Sequence, residues 1–191
     1  MEYKKTVSLK NGGTCVIRNG TEQDAQAVRD NYILTHGQTD FLLSYPEENS
    51  MNPEQEAKFL QEKTESANEI ELVAEIGGQI VGTAGIEQVG AKEKVRHRAE
   101  FGISVDQKYW GLGVGRALTE ACVTCARKAG YVQLELNAVA ENKRALKLYE
   151  SVGFVEFGRN PKGFRSRLTG WQELVYMRLE LNETQRRNEN E

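Results

Sequence analysis

The stretch Gly111-Leu112-Gly113-Val114-Gly115 lies between an apolar, β-rich run from Ala99 to Val105 and a helix-forming run from Arg116 to Lys128. It has the composition of an anion cradle. Glycines at alternate positions strip side chains from one side of a tight turn, so backbone N–H groups can approach a ligand closely. The helix that follows aims its free N–H groups and the positive end of its dipole at the same point. A phosphate or pyrophosphate is the expected guest. The turn lacks the G-x-G-x-x-G spacing and acidic partner of a dinucleotide fold, its glycines come late in the chain, and it lacks the Gly-Lys-Ser/Thr ending of a P-loop. A hydride-transferring dinucleotide enzyme is disfavoured on those grounds.

Other reactive side chains are few. Tyr149 shares a helical face with Ala145, Leu148 and Val152, where a tyrosine either packs its ring or presents its hydroxyl to a site. Asn142 stands where the same helix needs a cap. Glu100, on the strand before the glycine turn, is a solvated edge carboxylate or a base. Glu47 and Glu48, next to Phe41, Leu42, Leu43 and Tyr45, form a solvated acidic loop or a surface that draws in a cation. His36 and His97 are the two histidines, and the three cysteines, Cys15, Cys122 and Cys125, show no pairing pattern. Neither a disulfide framework nor a metal site is expected.

Two longer segments, Val105 to Leu118 around the glycine turn and Asn142-Lys-Arg-Ala145-Leu-Lys-Leu-Tyr149-Glu-Ser-Val-Gly153-Phe154, together resemble the GNAT superfamily of acyl-CoA-dependent N-acetyltransferases. The resemblance extends from about Glu71 to Glu180, with the two motifs in the family's order and spacing. It implies acetyl-CoA as co-substrate and direct acetyl transfer to a primary amine of a small molecule or peptide. The cradle, Trp110, Gly111, Leu112, Gly113, Val114, Gly115, Arg116 and Ala117, would hold the pyrophosphate. Trp110 stands where the family usually has Arg or Gln. Ile103, Ser104 and Val105 would run along the pantetheine arm, with further cofactor contacts from Asn137, Asn142, Ala145 and Tyr149. Tyr149 matches the tyrosine that protonates the departing thiolate, and Glu100 matches a strand on which members often carry the base, an ordered water being the alternative. His36, Glu47 and Glu48 fall where the family recognises acceptors. A non-catalytic acyl-CoA-binding module of the same fold is the rival reading.

The elements that must position these residues are legible in outline. Thr14 to Arg18, Glu71 to Ile76, Gln79 to Glu87, Ala99 to Val105, Tyr131 to Ala138, Phe154 to Gly158 and Gln172 to Leu181 read as strands, with Gly77-Gly78 as a two-residue hairpin turn. Helices are signalled after Thr21, after Asn52-Pro53, from Arg116 to Lys128 and from about Glu141 to Val152, the last stopped by Gly153. This order predicts a single α/β domain over residues 1–181, a mixed central sheet of about seven strands flanked by about four helices. Residues 182–191 read as a polar, frayed tail. With 25 Lys and Arg against 28 Asp and Glu, a net charge of −3 and no long apolar stretch, neither nucleic acid nor membrane is an expected partner. A cytoplasmic protein, monomeric or homodimeric, is the expectation.

Overall fold

The computed structural model describes residues 1–181; the predicted tail at 182–191 lies outside them. The elements run β1 (Lys4–Ser8), β2 (Thr14–Asn19), α1 (Ala25–Gln38), α2 (Pro53–Glu65), β3 (Ile70–Ile76), β4 (Gln79–Gln88), β5 (Arg98–Val105), α3 (Val114–Lys128), β6 (Gln133–Val139), α4 (Lys143–Val152), β7 (Val155–Ser166) and β8 (Gly170–Glu180). They build one sheet in the order β1-β2-β3-β4-β5-β6-β8-β7. Every neighbouring pair is antiparallel except β5 with β6. The α/β class and mixed sheet are as expected, but there are eight strands, not seven. The extra strand, β1, is a charged edge with little burial, so it carries no apolar alternation by which a strand is read from sequence.

Local chemistry explains the element ends. In α2 the Asn52 side chain accepts from the Gln55 N–H at 2.9 Å while Gln55 accepts from the Asn52 N–H at 2.9 Å, a reciprocal cap with Pro53 at the first position. Asn142 caps α4 by accepting from the Ala145 N–H at 3.3 Å, and Gly153 ends it at φ +109°, a left-handed stop that favours glycine. The strand predicted to end at Gly158 continues as β7 to Ser166. Pro161 is tolerated there because β7 is a sheet edge and its ladder is interrupted between Asn160 and Phe164.

The sheet buries both faces unequally. Leu72, Ala74, Ala84 and Ile86 join Leu118, Ala121, Cys122 and Cys125 of α3 in the main core, which extends to Leu146, Tyr149 and Phe154. On the opposite face Val73 meets Ala25 and Val28 of α1 and Leu60 of α2. All three cysteines are free and buried. Among the described residues, no helix is long and apolar enough to cross a membrane.

One polar cluster stitches the first strands to α1. Arg18 donates to both carboxylate oxygens of Asp24 at 2.7 and 2.9 Å and to Glu75 Oε2 at 2.8 and 3.0 Å. Asp24 Oδ2 also accepts from the Thr21 N–H at 2.8 Å. Burial alone would raise the Asp24 pKa, but these donors overcome it and lower it to about 2. A depressed folded-state pKa gives stability that is complete above the unfolded value and is lost as pH falls through the folded one. Asp24 is therefore expected to add about 2 kcal/mol that disappears between roughly pH 4 and pH 2. Thermal melts of Asp24→Asn should show a lower Tm at neutral pH and a flatter decline across that window. A decline identical to that of the wild type would show that Asp24 is not the group responsible.

Candidate active site

The glycine turn is anchored from three sides before it meets any ligand. The Asp106 side chain accepts from the Lys108 N–H at 3.1 Å and from Gln38 Nε2 at 2.9 Å, while the Gln107 N–H donates to Gln38 Oε1 at 2.9 Å. These bonds tie the end of α1 to the turn. Trp110 Nε1 donates to the Val105 carbonyl at 2.7 Å, and the Arg144 guanidinium lies over its ring at 4.9 Å. The Lys10 N–H donates to the Leu112 carbonyl at 3.0 Å. Trp110 thus fixes the turn to the end of β5 through its own indole.

Gly111 and Gly113 sit at φ +80° and +106°, in the region where a side chain costs about 1–2 kcal/mol. A Cβ at either would meet nothing within 4 Å, so the space above the turn is open. Gly115 is not held at positive φ. It lies inside α3, where a Cβ would stand 3.4 Å from Leu148 Cδ2 of α4, an ordinary contact distance. Ala117 departs from its predicted part in the cradle, because its N–H already donates to the Gly113 carbonyl at 3.0 Å. The N–H groups of Val114, Gly115 and Arg116, in the first turn of α3, remain as donors. The Arg116 side chain turns to Glu120 at 3.2 Å and Ser151 at 2.6 Å.

Along the strand that leads to this turn, the sheet itself opens. β5 and β6 pair only through Arg98, Glu100 and the residue between them, opposite Gln133 to Glu135. Beyond that point the strands part, and backbone groups of Phe101 to Val105 lose their neighbour on the β6 side. A cavity of about 430 Å³ occupies the gap, lined by Ile103 and Ser104 on β5 and by Leu136, Asn137 and Ala138 on β6. Asn142 and Tyr149 close one side; Tyr32, His36, Phe41, Leu42 and Leu43 cover the other.

Tyr149 is 7% exposed, with Phe101 and Phe154 each about 6.0 Å away edge-on. It packs in the core and also lines the cavity. Burial raises its pKa and keeps the hydroxyl protonated at neutral pH. His36 stacks on Tyr32 with ring centroids 3.7 Å apart, and its Nδ1 lies 2.8 Å from the Tyr32 carbonyl oxygen. Burial lowers its pKa, favouring the neutral ring. Glu100 lines the cavity and is exposed. Val105 contributes its carbonyl to Trp110, and Ala145 packs against the core.

Glu47 and Glu48 line no part of this cavity. Glu47 pairs with Arg167 in the β7–β8 turn, and Glu48 accepts from the Tyr45 N–H at 2.7 Å. They belong to a clasp. The Arg167 guanidinium covers the Tyr45 ring at 3.9 Å, and Asp40 Oδ2 accepts from Ser166 at 2.6 Å, Thr169 at 3.0 Å and Gln172 at 3.0 Å. The clasp fixes the segment whose Phe41, Leu42 and Leu43 roof the cavity.

Sequence reasoning missed Glu71. This β3 carboxylate is half-buried and lines the cavity floor opposite Gly85. Burial raises its pKa to about 8 against the opposing charge of Lys63, with Glu56 and Glu87 adding to the rise. Its one signal in the sequence is a lone carboxylate inside the apolar run Ile70 to Ala74.

Comparison with known proteins accords with this site. A family model described as Acetyltransferase (GNAT) family matches residues 36–154. Over 112 residues the chain is 29% identical to the L-amino acid N-acyltransferase MnaT of Escherichia coli (strain K12), a match spanning 59% of this chain and 64% of that protein. Over 92 residues it is 38% identical to the N-alpha-acetyltransferase RimI of Mycobacterium tuberculosis, covering 48% and 56%. The chain thus spans less than two thirds of the length of either relative. The crystal structure of an acetyltransferase of the GNAT family from Streptococcus pneumoniae superposes with a TM-score of 0.83, covering 87% of this chain and 99% of that one at 26% identity. The family match takes in the glycine turn, the parting strands and Tyr149, and the chain belongs to the GNAT acetyltransferase family.

Proposed function

We propose that this chain is an N-acetyltransferase that moves an acetyl group from acetyl-CoA directly to a primary amine of a small molecule or peptide, without a metal. The observation that carries this reading is that β5, the strand that leads to the glycine turn, parts from β6 beside a cavity that Tyr149 and Glu100 both line. The open space above Gly111 and Gly113, at the start of a 15-residue helix, suits a pyrophosphate. Asn137, Asn142, Ile103 and Ser104 then suit the pantetheine arm. The bound thioester supplies an activated acyl carbon. The chain must hold it, polarise its carbonyl, accept a proton from the amine and return one to sulfur. Backbone N–H groups of the unpaired part of β5 serve the carbonyl, and Tyr149 supplies the proton to sulfur. A cavity carboxylate, with Glu100 as the residue read from sequence, accepts the amine's proton.

The names of the two relatives, an L-amino acid N-acyltransferase and an N-alpha-acetyltransferase, support α-amino groups among the first acceptors to test. Thiol release from acetyl-CoA, measured with a panel of amino acids, polyamines and peptide N-termini, tests the reaction. Release dependent on an amine is expected; binding of acetyl-CoA without release would favour a non-catalytic module.

Replacing Gly113 by Val forces a β-branched residue to φ +106° and fills the open face of the cradle. Calorimetry should show acetyl-CoA binding weaker by roughly 10-fold to 100-fold, the scale of losing one or two hydrogen bonds to a charged group. Unchanged binding by the folded variant would remove the cradle from the account. Tyr149→Phe keeps the ring between Phe101 and Phe154 and removes only the hydroxyl, so Tm should hold while kcat falls roughly 10²-fold. An unaltered kcat across the pH range would reduce Tyr149 to a packing residue.

A further inference from the structure

The acceptor side of the sheet contains a trough whose shape follows from register. Glu71 on β3 pairs with Gly85 on β4, and Gly85 pairs with Gly102 on β5. Along this row a carboxylate is followed by two residues without side chains. A Cβ at position 85 would collide with Glu71 Oε2 and stand 3.1 Å from the Ile70 carbonyl. The Glu71 side chain therefore lies across Gly85 toward β5, in space that any other residue would fill. A Cβ at Gly102 would meet nothing within 4 Å, so the bare floor continues one further strand spacing, ~4.8 Å, toward the gap where β5 leaves β6. The neighbouring rows form the banks: Thr83 paired with Ser104 on one side, Glu87 paired with Glu100 on the other. Lys63 of α2 pairs with Glu87 at 2.8 Å and with Glu69 at 2.7 Å, whereas Glu100 makes no ion pair among the described residues and lines the cavity.

We propose that this trough seats the acceptor as an ammonium and that Glu71, rather than Glu100, is the group that takes its proton. This rests on the acetyl-transfer reading of the same cavity. A primary ammonium lying over Gly85 and Gly102 meets hydroxyls on one bank and the Glu100 carboxylate on the other, with Glu71 at the head. One proton passes from the ammonium to a Glu71 carboxylate oxygen, directly or through one water, leaving the nitrogen lone pair free to form the bond to the acyl carbon. As the carbon–sulfur bond breaks, the second proton goes to sulfur through Tyr149, and Glu71 returns its own proton to solvent. Glu100 stands exposed at the rim, where it attracts the cation. The groups facing Glu71 are Glu56 and Lys63 from α2, Thr83 and Glu87 from β4, and Tyr32 and His36 of α1 across the cavity, with Cys122 of α3 behind the sheet. Burial outweighs Lys63 among these influences and leaves a carboxyl pushed up to about 8, so its carboxylate form, a stronger base than an ordinary glutamate, fills in as pH rises toward 8.

The test compares wild type with Glu71→Gln and Glu71→Asp on two acceptors, an alkylamine protonated at the assay pH and a weakly basic amine already neutral there. Glu71→Gln is expected to lower kcat/KM for the alkylamine by roughly 10²-fold while costing the neutral amine under about 10-fold, with acetyl-CoA affinity unchanged and Glu71→Asp between the two. Equal losses on both acceptors, or none on either, would overturn the proposal. A second reading needs no turnover: NMR of protein labelled with ¹³C at the glutamate carboxyls should show one resonance titrating near pH 8 that vanishes in Glu71→Gln. If every carboxyl titrates in the ordinary range, Glu71 is not the base even where acetyl transfer is intact. No thiol release by the wild type with any amine would overturn acetyl transfer itself.

Discussion

The parting of β5 from β6 is the constraint on which the rest of the structure depends. Two parallel strands that hydrogen-bond over three residues and then separate leave backbone donors and acceptors inside the sheet without partners, and such groups must be satisfied by something. A ligand arm entering as a surrogate strand, as proposed for acetyl-CoA, would answer that demand. α3 and α4 lie on one face of the sheet and α1 and α2 on the other, and the cavity at the gap is lined from both, by Tyr149 of α4 and by Tyr32 and His36 of α1. The indole of Trp110 holds the glycine turn to the last carbonyl of β5, so the mouth of the gap and the anion cradle are fixed to the same strand.

On the two sides of this gap, burial sets opposite tasks. Tyr149, enclosed by Phe101 and Phe154, is kept protonated and suits donation. Glu71, on the other face, is made more basic than an ordinary carboxylate by the same physical cause. Desolvation disfavours the charged form of each, which for a phenol preserves an acid and for a carboxylate strengthens a base. The roof over the cavity depends on polar contacts distant in sequence: Asp40 gathers three donors from the β7–β8 hairpin, and Arg167 covers Tyr45.

Features governed by neighbours in the chain were legible beforehand. Asn52, Pro53 and Gln55 marked the start of α2, Asn142 and Gly153 bounded α4, and Gly77-Gly78, both at positive φ, turned β3 into β4. Features set at a distance were not. A straight ladder from the Gly77-Gly78 turn pairs Glu71 with Ala84, but a bulge at Ala74/Glu75 advances the register by one residue and brings Gly85 opposite. With no local signature for that bulge, a carboxylate over a glycine floor could not be anticipated. Glu47 looked available because its partner Arg167, 120 residues on, is matched to it only by the fold.

The central claim is that one cavity holds both substrates while the acetyl group passes between them with no acylated enzyme. Initial rates with acetyl-CoA and an amine varied together test this most directly. The account predicts intersecting double-reciprocal lines, and intact protein unchanged in mass after incubation with acetyl-CoA alone. Parallel lines, together with an acetyl group retained on the protein, would contradict it.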